Sequence, residues 1–575
     1  MAPLAPRFRW LLPGTADLTP ELRSAGAARG LSQRVLEVLA ARGHRDGAAL
    51  AALFDPPETC LHDPWMLPDA ATFLARVRLA RTRADRVLVS GDFDADGLTG
   101  LAIMVRSLRM LGIDAEPYVP DRLTEGHGLS LAAVERAARE ERRLIITVDC
   151  GISSVAEVAA AVDSGIDVLI TDHHRIPSTL PAAVAIVDPH LPGSRYPHPD
   201  LAGSGVAFKL AQLILSDLPD GATAALDLAD LAAIGTLADL VPVTGENRAI
   251  IRLGLERIRR DPRPGIAALL RHAGLAPERV DPDTIAFALA PRLNAVGRVG
   301  DATAAAQLLI SDDADEAERS AAELQAANLV RRQLTAAALV EARDQLAGVP
   351  DERVIVIVGD WPVGVIGLIA GRLAEESGRP TVVFSRITDP WRGSARSAGG
   401  FDLAAAFAAC GDLFERHGGH PAAAGCSLPS ARFAEFRDRL LLLAAGVTVP
   451  DPRPPLRLDL VTGADAVDYV LFRELAALDR SGDLPPLVGI SGLRVGRVRR
   501  VSGGHVQITL RKGMEVLDGI CFGRADDMAS SLAEGASIDV VARLASRAFG
   551  GFESLQLEVR DVAPAGALRL MEHAA

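Results

Sequence analysis

The sequence has little of what would place a protein outside the cytoplasm. Its five cysteines, Cys60, Cys150, Cys410, Cys426 and Cys521, are odd in number, scattered and never paired as CxxC, which excludes a disulfide framework and a thiolate zinc site. No uninterrupted apolar run of about 18 residues occurs, so no membrane span is expected. The start, MAPLAPRFRWLLPG, breaks its apolar run at Pro13 and has no cleavage pattern, so a cytoplasmic location is expected. Lysine is almost missing, with Lys209 and Lys512 as the only two. Aromatic residues make up 4%, which leaves few platforms for stacking bases. Low-complexity tracts and charged tails are also missing, which sets aside a disordered chain.

What is present is a long, ordinary globular sequence. At 575 residues it exceeds one hydrophobic core, so several domains are expected. The net charge of −13 disfavours binding to a polyanion, yet Arg494, Arg497, Arg499, Arg500, Arg511 and Lys512 lie in a stretch with no acidic residue. Distribution therefore matters more than the sum.

From about residue 85, short β-rich runs alternate with helical stretches. The runs at 87–89, 144–148 and 167–171 are separated by helical segments such as 129–143 and 155–164, the pattern of a parallel α/β sheet. Each run leads into a polar motif: GDFDADG at 91–97, DCGIS at 149–153 and Asp172-His173-His174. Ligands bind beyond the carboxyl ends of such strands, so the three motifs are expected to converge on one edge.

A stretch from Asp313 to Leu346 without Gly or Pro predicts one long connecting helix. A second βαβ unit follows over 353–385, then glycine-rich GSARSAGG at 393–400 and HGGHPAAAG at 417–425, which read as loops approaching a ligand. From Gly489, five short strands suggest a small β-barrel of the OB type. The expected segments are a helical start at 1–80, a catalytic α/β domain at 81–310, the connecting helix at 311–350, a smaller α/β domain at 351–450 and the barrel at 455–565.

Three carboxylates at alternate positions, Asp92, Asp94 and Asp96, repel one another unless something neutralises them. An EF-hand is excluded because the twelfth position is Ile103 or Val105 rather than Glu. Asp149, taken alone, reads as a turn or cap residue, and Asp239 in GTLADLVP as a helix-end acid. Asp172-His173-His174 offers imidazole ligands with a carboxylate to orient them. As a set, carboxylates with one or two histidines and no thiolate suit Mg²⁺ or Mn²⁺. Two such ions activate water and stabilise the leaving oxygen in phosphoester hydrolysis. Arg122, Ser394 and Arg396 carry the guanidinium forks and hydroxyl that suit a terminal phosphate.

At these residues the sequence resembles the DHH phosphoesterase superfamily, within it the branch of single-strand-specific 5′→3′ exonucleases. GDFDADG, TVDCGIS, TDHH, GTLADLVP, APRLNAVGR at 290–298, GSARS and GGHPAAAG occur in that order over about residues 85–430. The resemblance implies a DHH lobe, a smaller DHHA1-like lobe and a C-terminal OB-like barrel. It implies Asp94, Asp96, Asp149, His173 and Asp239 as ligands of two divalent cations, Mn²⁺ or Mg²⁺, with Asp149 bridging. His174 would face the scissile phosphate or the second ion, and Asp92 stands as ligand or as support. Arg122, Ser394 and Arg396 would recognise a DNA 5′-phosphate, and Arg292, Asn294, Arg298 and His420 would line the substrate side of the cleft. The implied activity releases nucleoside 5′-monophosphates from single-stranded DNA, in recombination and repair, with a helicase and a single-strand-binding protein as partners. Nothing in the pattern demands more than a monomer. A DHH–DHHA1 phosphodiesterase acting on short oligoribonucleotides or cyclic dinucleotides is the alternative, and a catalytically dead DNA-binding scaffold a third. Two departures from the superfamily pattern stand out. Pro362 follows Trp361 in WPVGVIG where a histidine is usual, and the approach to the barrel at Asp479–Pro486 is degenerate.

Overall fold

The computed structural model describes residues 4–569 except 15–16, 123, 240, 301, 348–351, 399, 447–452, 479–484, 503, 525–527, 529–530 and 550–551. Its first lobe is built on a five-stranded parallel sheet, ordered Ala115–Tyr118, Val87–Gly91, Leu144–Val148, Asp167–Thr171, Ala185–Val187. Alternate residues of each strand feed opposite layers, as the two-residue period requires. Val87, Val89 and Ile146 join the core formed with helices Ala70–Arg83, Ala95–Met110 and Gly203–Leu215. Leu88, Ile145 and Ile170 join the layer of Leu131–Arg139 and Val155–Asp163. Both faces are covered, which is why these strands read as nearly unbroken apolar runs. From Val87–Gly91 the chain crosses first to one side of the sheet and then to the other. The loop after that strand, GDFDADG, therefore sits at the switch point where a crevice opens.

Gly221–Ala238, the one stretch among the described residues long and apolar enough to cross a membrane, is 67% buried in this lobe.

The long helix runs Ala314–Ala347, 34 residues or about 50 Å. Ala317, Ala321 and Leu324 pack in the first lobe, whereas Ala338 and Ala342 pack with Trp361 and Ile366 of the second. One rigid element thus belongs to two cores. The second lobe starts as expected, with parallel strands Ile355–Gly359 and Thr381–Ser385 joined by helix Val363–Ser377. The next two motifs, expected as loops, lie largely on antiparallel strands. GSARS falls mostly in Trp391–Arg396, and HGGH in Arg416–His420, which pairs with Ala423–Leu428. Glycine there answers crowding: a Cβ at Gly393 would lie 2.6 Å from the Phe384 ring.

The barrel closes. Val488–Val501, His505–Lys512, Glu515–Cys521, Phe552–Pro564 and Ser537–Phe549 pair in that order, and the last pairs back to the first. Its strands reach 14 residues, longer than expected, because register shifts at Ile490/Leu493 and Val495/Arg497 bend them around the barrel. The basic residues from Arg494 to Lys512 share its first hairpin. Of the degenerate Asp479–Pro486 approach, residues 479–484 lie outside the described residues.

The start of the chain differs from the all-helical expectation. Arg9–Leu11 is a strand, parallel to Pro455–Arg457, and buried Trp10 donates Nε1–H to Asp561 at 2.8 Å. The helices that follow supply Leu22, Leu39 and Leu50 to the barrel's own core. A partner some 450 residues away decides this strand, which no local pattern can show. Arg543–Asp281 at 3.0 Å and Arg560–Asp283 at 2.9 Å tie the barrel to the first lobe.

Candidate metal centre and substrate cleft

The strand-end motifs converge. Asp149 follows Leu144–Val148 in a left-handed backbone conformation, φ 60°, a strained state for a non-glycine residue that is held by its surroundings. Its carboxylate packs so tightly on Gly203 that a Cβ there would lie 2.5 Å from the Asp149 Cβ. Asp94 caps helix Ala95–Met110, accepting from the N–H groups of Asp96 and Gly97. The Gly97 of the motif serves close approach: a Cβ would meet the Asp92 carbonyl at 2.5 Å. Asp96 is held from the other side, its oxygens accepting from Gly203 N–H at 2.7 Å and Ser204 N–H at 3.0 Å, at the N-terminus of helix Gly203–Leu215.

Three sets of possible ligand atoms lie within 4.8 Å of one another: Asp149, His173, His174; Asp96, His173, Asp239; and Asp92, Asp94, Asp149. Every residue expected at the metal centre is in one of them, together with Asp92. Burial, then repulsion from Asp92 and Asp96, pushes the Asp94 carboxyl up to about 7. Burial, then Asp96, pushes Asp239 up to about 6, and Asp149 rises well above the ordinary range from burial and the other three aspartates. Asp172 is buried, yet its carboxyl is lowered, because the bond from His174 Nδ1 at 2.7 Å, backbone N–H groups and the nearby imidazoles outweigh burial. That bond pushes His174 up to about 9.

A cation fits these residues. Asp92 Oδ1, Asp149 Oδ1 and His173 Nε2 are buried without a hydrogen-bond partner. Asp149 Oδ1 and His173 Nε2 face each other at 3.0 Å. About 3 Å separates adjacent ligands of an octahedral ion bound at about 2.1 Å. Oxygen and imidazole donors without a thiolate select Mg²⁺ or Mn²⁺.

Facing the acids is a wall of arginines. Arg122 stacks on Phe93, 4.8 Å from the ring centroid, and Arg396 Nη1 donates to Ser394 Oγ at 3.3 Å. Arg298 donates to the Gly364 carbonyl of the second lobe, and its Nε is buried without a partner. Burial, then Arg122, Arg331 and Arg396, depresses Arg298 to about 9. The expected residues Arg122, Ser394, Arg396 and Arg298 are thus neighbours. Arg292 bonds Gln325 and the Ala288 carbonyl beside Arg331 and Arg332. Asn294 supports the acids directly, its Oδ1 accepting from Ala95 N–H at 2.7 Å. His420 is exposed and not brought into contact with either group.

The family models match in sequence order: the DHH family N-terminal domain over residues 86–236, the DHHA1 domain over 351–445 and the RecJ OB domain over 458–561. The single-stranded-DNA-specific exonuclease RecJ of Bacillus subtilis is 35% identical over 570 residues, 97% of this chain and 71% of that one. This chain belongs to the RecJ family. RecJ of Salmonella typhimurium is 33% identical over 96% of both chains. Crystal structures of Thermus thermophilus RecJ in complex with Mn²⁺ and with Mg²⁺ superpose with TM-scores of 0.80 and 0.75, at 32% and 29% identity, each over 98% of this chain. They cover 80% and 79% of those chains.

Sequence reasoning missed four features of this RecJ-family centre. His127 lies 3.4 Å from Asp92 and packs on Phe93. Asp188, pushed up to about 7 by burial, sits near Asp172 and both histidines. Arg331 extends the wall, and Gly235 leaves room for Asp96, whose Oδ1 a Cβ would meet at 2.5 Å. His127 lies five residues after Arg122 but had no partner within reach of local pattern.

Proposed function

We propose that this chain is a single-strand-specific 5′→3′ exodeoxyribonuclease that hydrolyses phosphodiester bonds and releases nucleoside 5′-monophosphates. The observation that carries the proposal is the pairing of a carboxylate–imidazole centre with an arginine wall on the facing side of one cleft. Mn²⁺ or Mg²⁺, when bound, supplies water activation and charge neutralisation at the phosphorus.

The residues divide the remaining tasks. Asp94, Asp96, Asp149, His173 and Asp239 would hold two cations, with Asp92 beside Asp94 as a further ligand. Asp172 accepts from His174 Nδ1 and so fixes that ring, leaving Nε2 to face the scissile phosphate. Arg122, Ser394 and Arg396 would take the 5′-phosphate. Arg298 would hold the next phosphate toward the metal centre and Arg292 one farther along the strand. A cleft of this kind binds a backbone by charge, with no base reading, and duplex is excluded by width. The barrel's basic hairpin guides the strand. The reading extends to a cytoplasmic monomer working in recombination and repair with a helicase and a single-strand-binding protein.

The test is degradation of 3′-labelled, 5′-phosphorylated single-stranded DNA with Mn²⁺ or EDTA, beside the blunt duplex. Metal-dependent shortening of the single strand alone is expected. Cleavage confined to di- and trinucleotides or cyclic dinucleotides overturns the proposal in favour of a small-substrate phosphodiesterase. Binding without turnover overturns it in favour of a scaffold.

A further inference from the structure

A cavity of about 820 Å³ opens where three parts of the chain meet, away from the residues of the cleft. Arg29 comes from the N-terminal helices, Arg252 and Arg259 from helix Gly245–Arg260, and Arg473 from helix Tyr469–Ala476 before the barrel. Arginines at a junction often serve as mortar, and part of this set does. Arg29 pairs with Asp55 at 2.9 Å, Arg259 donates to the Val280 carbonyl at 2.7 Å, and Arg252 Nη1 donates to the Asp55 carbonyl at 2.9 Å.

Two of these guanidinium groups keep donors that the junction does not use. Arg252 is only 7% exposed, and its Nε has no hydrogen-bond partner. A buried donor left unmade costs about 1–3 kcal/mol, more when charged. Arg473, exposed at the rim, has no ion pair or hydrogen bond among the described residues. The carboxylates facing the group are Asp55, Glu58 and Glu256, against Arg29, Arg248, Arg252, Arg259 and Arg473. Burial depresses Arg252, and Arg248 adds to it against the opposing pull of Glu256 and Glu58. The same cavity has an apolar side, formed by Leu31, Phe54 and Leu255. Its volume falls in the range of about 300–1,000 Å³ usual for small-molecule sites.

We propose that this junction cavity binds a nucleoside polyphosphate, with its phosphates on Arg252 and Arg473 and its base against Phe54 and Leu31. Two guanidinium groups with unused donors call for more than one phosphate, and the apolar wall gives the base a place that inorganic phosphate would leave empty. The ligand would touch the N-terminal helices, the catalytic lobe and the helix leading to the barrel at once. It would therefore stabilise their docking by mass action.

The test uses the full chain in EDTA, so that no metal draws nucleotide to the aspartate centre. ADP is titrated by calorimetry, and thermal unfolding is followed in parallel. Saturable binding with a rise in Tm is expected, at least tenfold tighter than pyrophosphate. Arg473→Gln, at an exposed position that does not threaten folding, weakens ADP at least tenfold, and Arg252→Gln does so more strongly. Arg396→Ala leaves the ADP affinity unchanged, and a single-stranded oligonucleotide does not displace ADP. No binding, equal binding of ADP and pyrophosphate, loss of binding with Arg396→Ala but not with Arg473→Gln, or displacement by the oligonucleotide would each overturn the site.

Discussion

The aspartate centre and the arginine wall face each other with opposite charge, and each is built from like charges that repel. The acids are held by backbone: helix N-termini donate to Asp94 and Asp96, and glycines at 97, 203 and 235 let main chain crowd in on the motif. The arginines are held by side chains and carbonyls on both lobes, as Arg298 is by the Gly364 carbonyl. Backbone contacts fix the acids directly, whereas the guanidinium groups sit at the ends of long side chains. Metal ligation needs the first kind of support, and a phosphate chain that must slide is better served by the second.

Asp149→Ala should break the contrast most sharply. Turnover with Mn²⁺ is expected to fall about 10³-fold or more, the several kcal/mol that cations contribute to such chemistry. Strand binding in EDTA should persist, because a negative charge has been removed. Loss of both together would show that the two sides are not separable.

Arg396→Ala should act on the other side. A 5′-phosphorylated strand is expected to bind about 10- to 100-fold more weakly, roughly 1–3 kcal/mol for a charge-assisted contact, while Mn²⁺ affinity by calorimetry is unchanged. The preference for a 5′-phosphate over a 5′-hydroxyl should vanish with it.

Gly203→Ala tests the backbone support. The new methyl collides with Asp149, so a stability loss of about 1–3 kcal/mol in denaturant melts should accompany weaker metal binding. Unchanged metal affinity would mean that the acids are less tightly specified than their packing indicates.

Pro362→His should have the smallest effect. Pro362 precedes helix Val363–Ser377, whose Gly364 touches Arg298, so a histidine there adds a donor beside the wall. Strand affinity is expected to rise by about 1 kcal/mol, roughly fivefold, with turnover at saturation unaltered.

Much of the centre was legible because parallel α/β sheets deliver their strand ends to one edge. Asp94, Asp149 and His173 could be placed together from three short motifs. Asp172 was legible as the orienting acid because it adjoins the histidines it serves. Asp188 and Gly203 were not, and Asn294 was expected on the substrate side rather than beneath the acids, since each acts through a partner distant in sequence and carries no periodic signal. The two glycine-rich motifs of the second lobe were misread as loops because glycine signals a bend and a tight packing contact alike. The barrel was legible as short strands, but its closure depends on pairing between the first and fourth strands in the chain.

Trp10 and Asp561 are 551 residues apart, yet their hydrogen bond lies in the buried seam between the first strand and the barrel. At about 5–20 residues per second of synthesis, the tryptophan waits roughly 30–110 s for its acceptor to leave the ribosome. Throughout that interval the first strand and the helices behind it have no barrel to cover Trp10, Leu22 and Leu39. The opening segment is therefore where a nascent chain is most open to chaperones and proteases, and shortening the wait would change yield without changing the folded product.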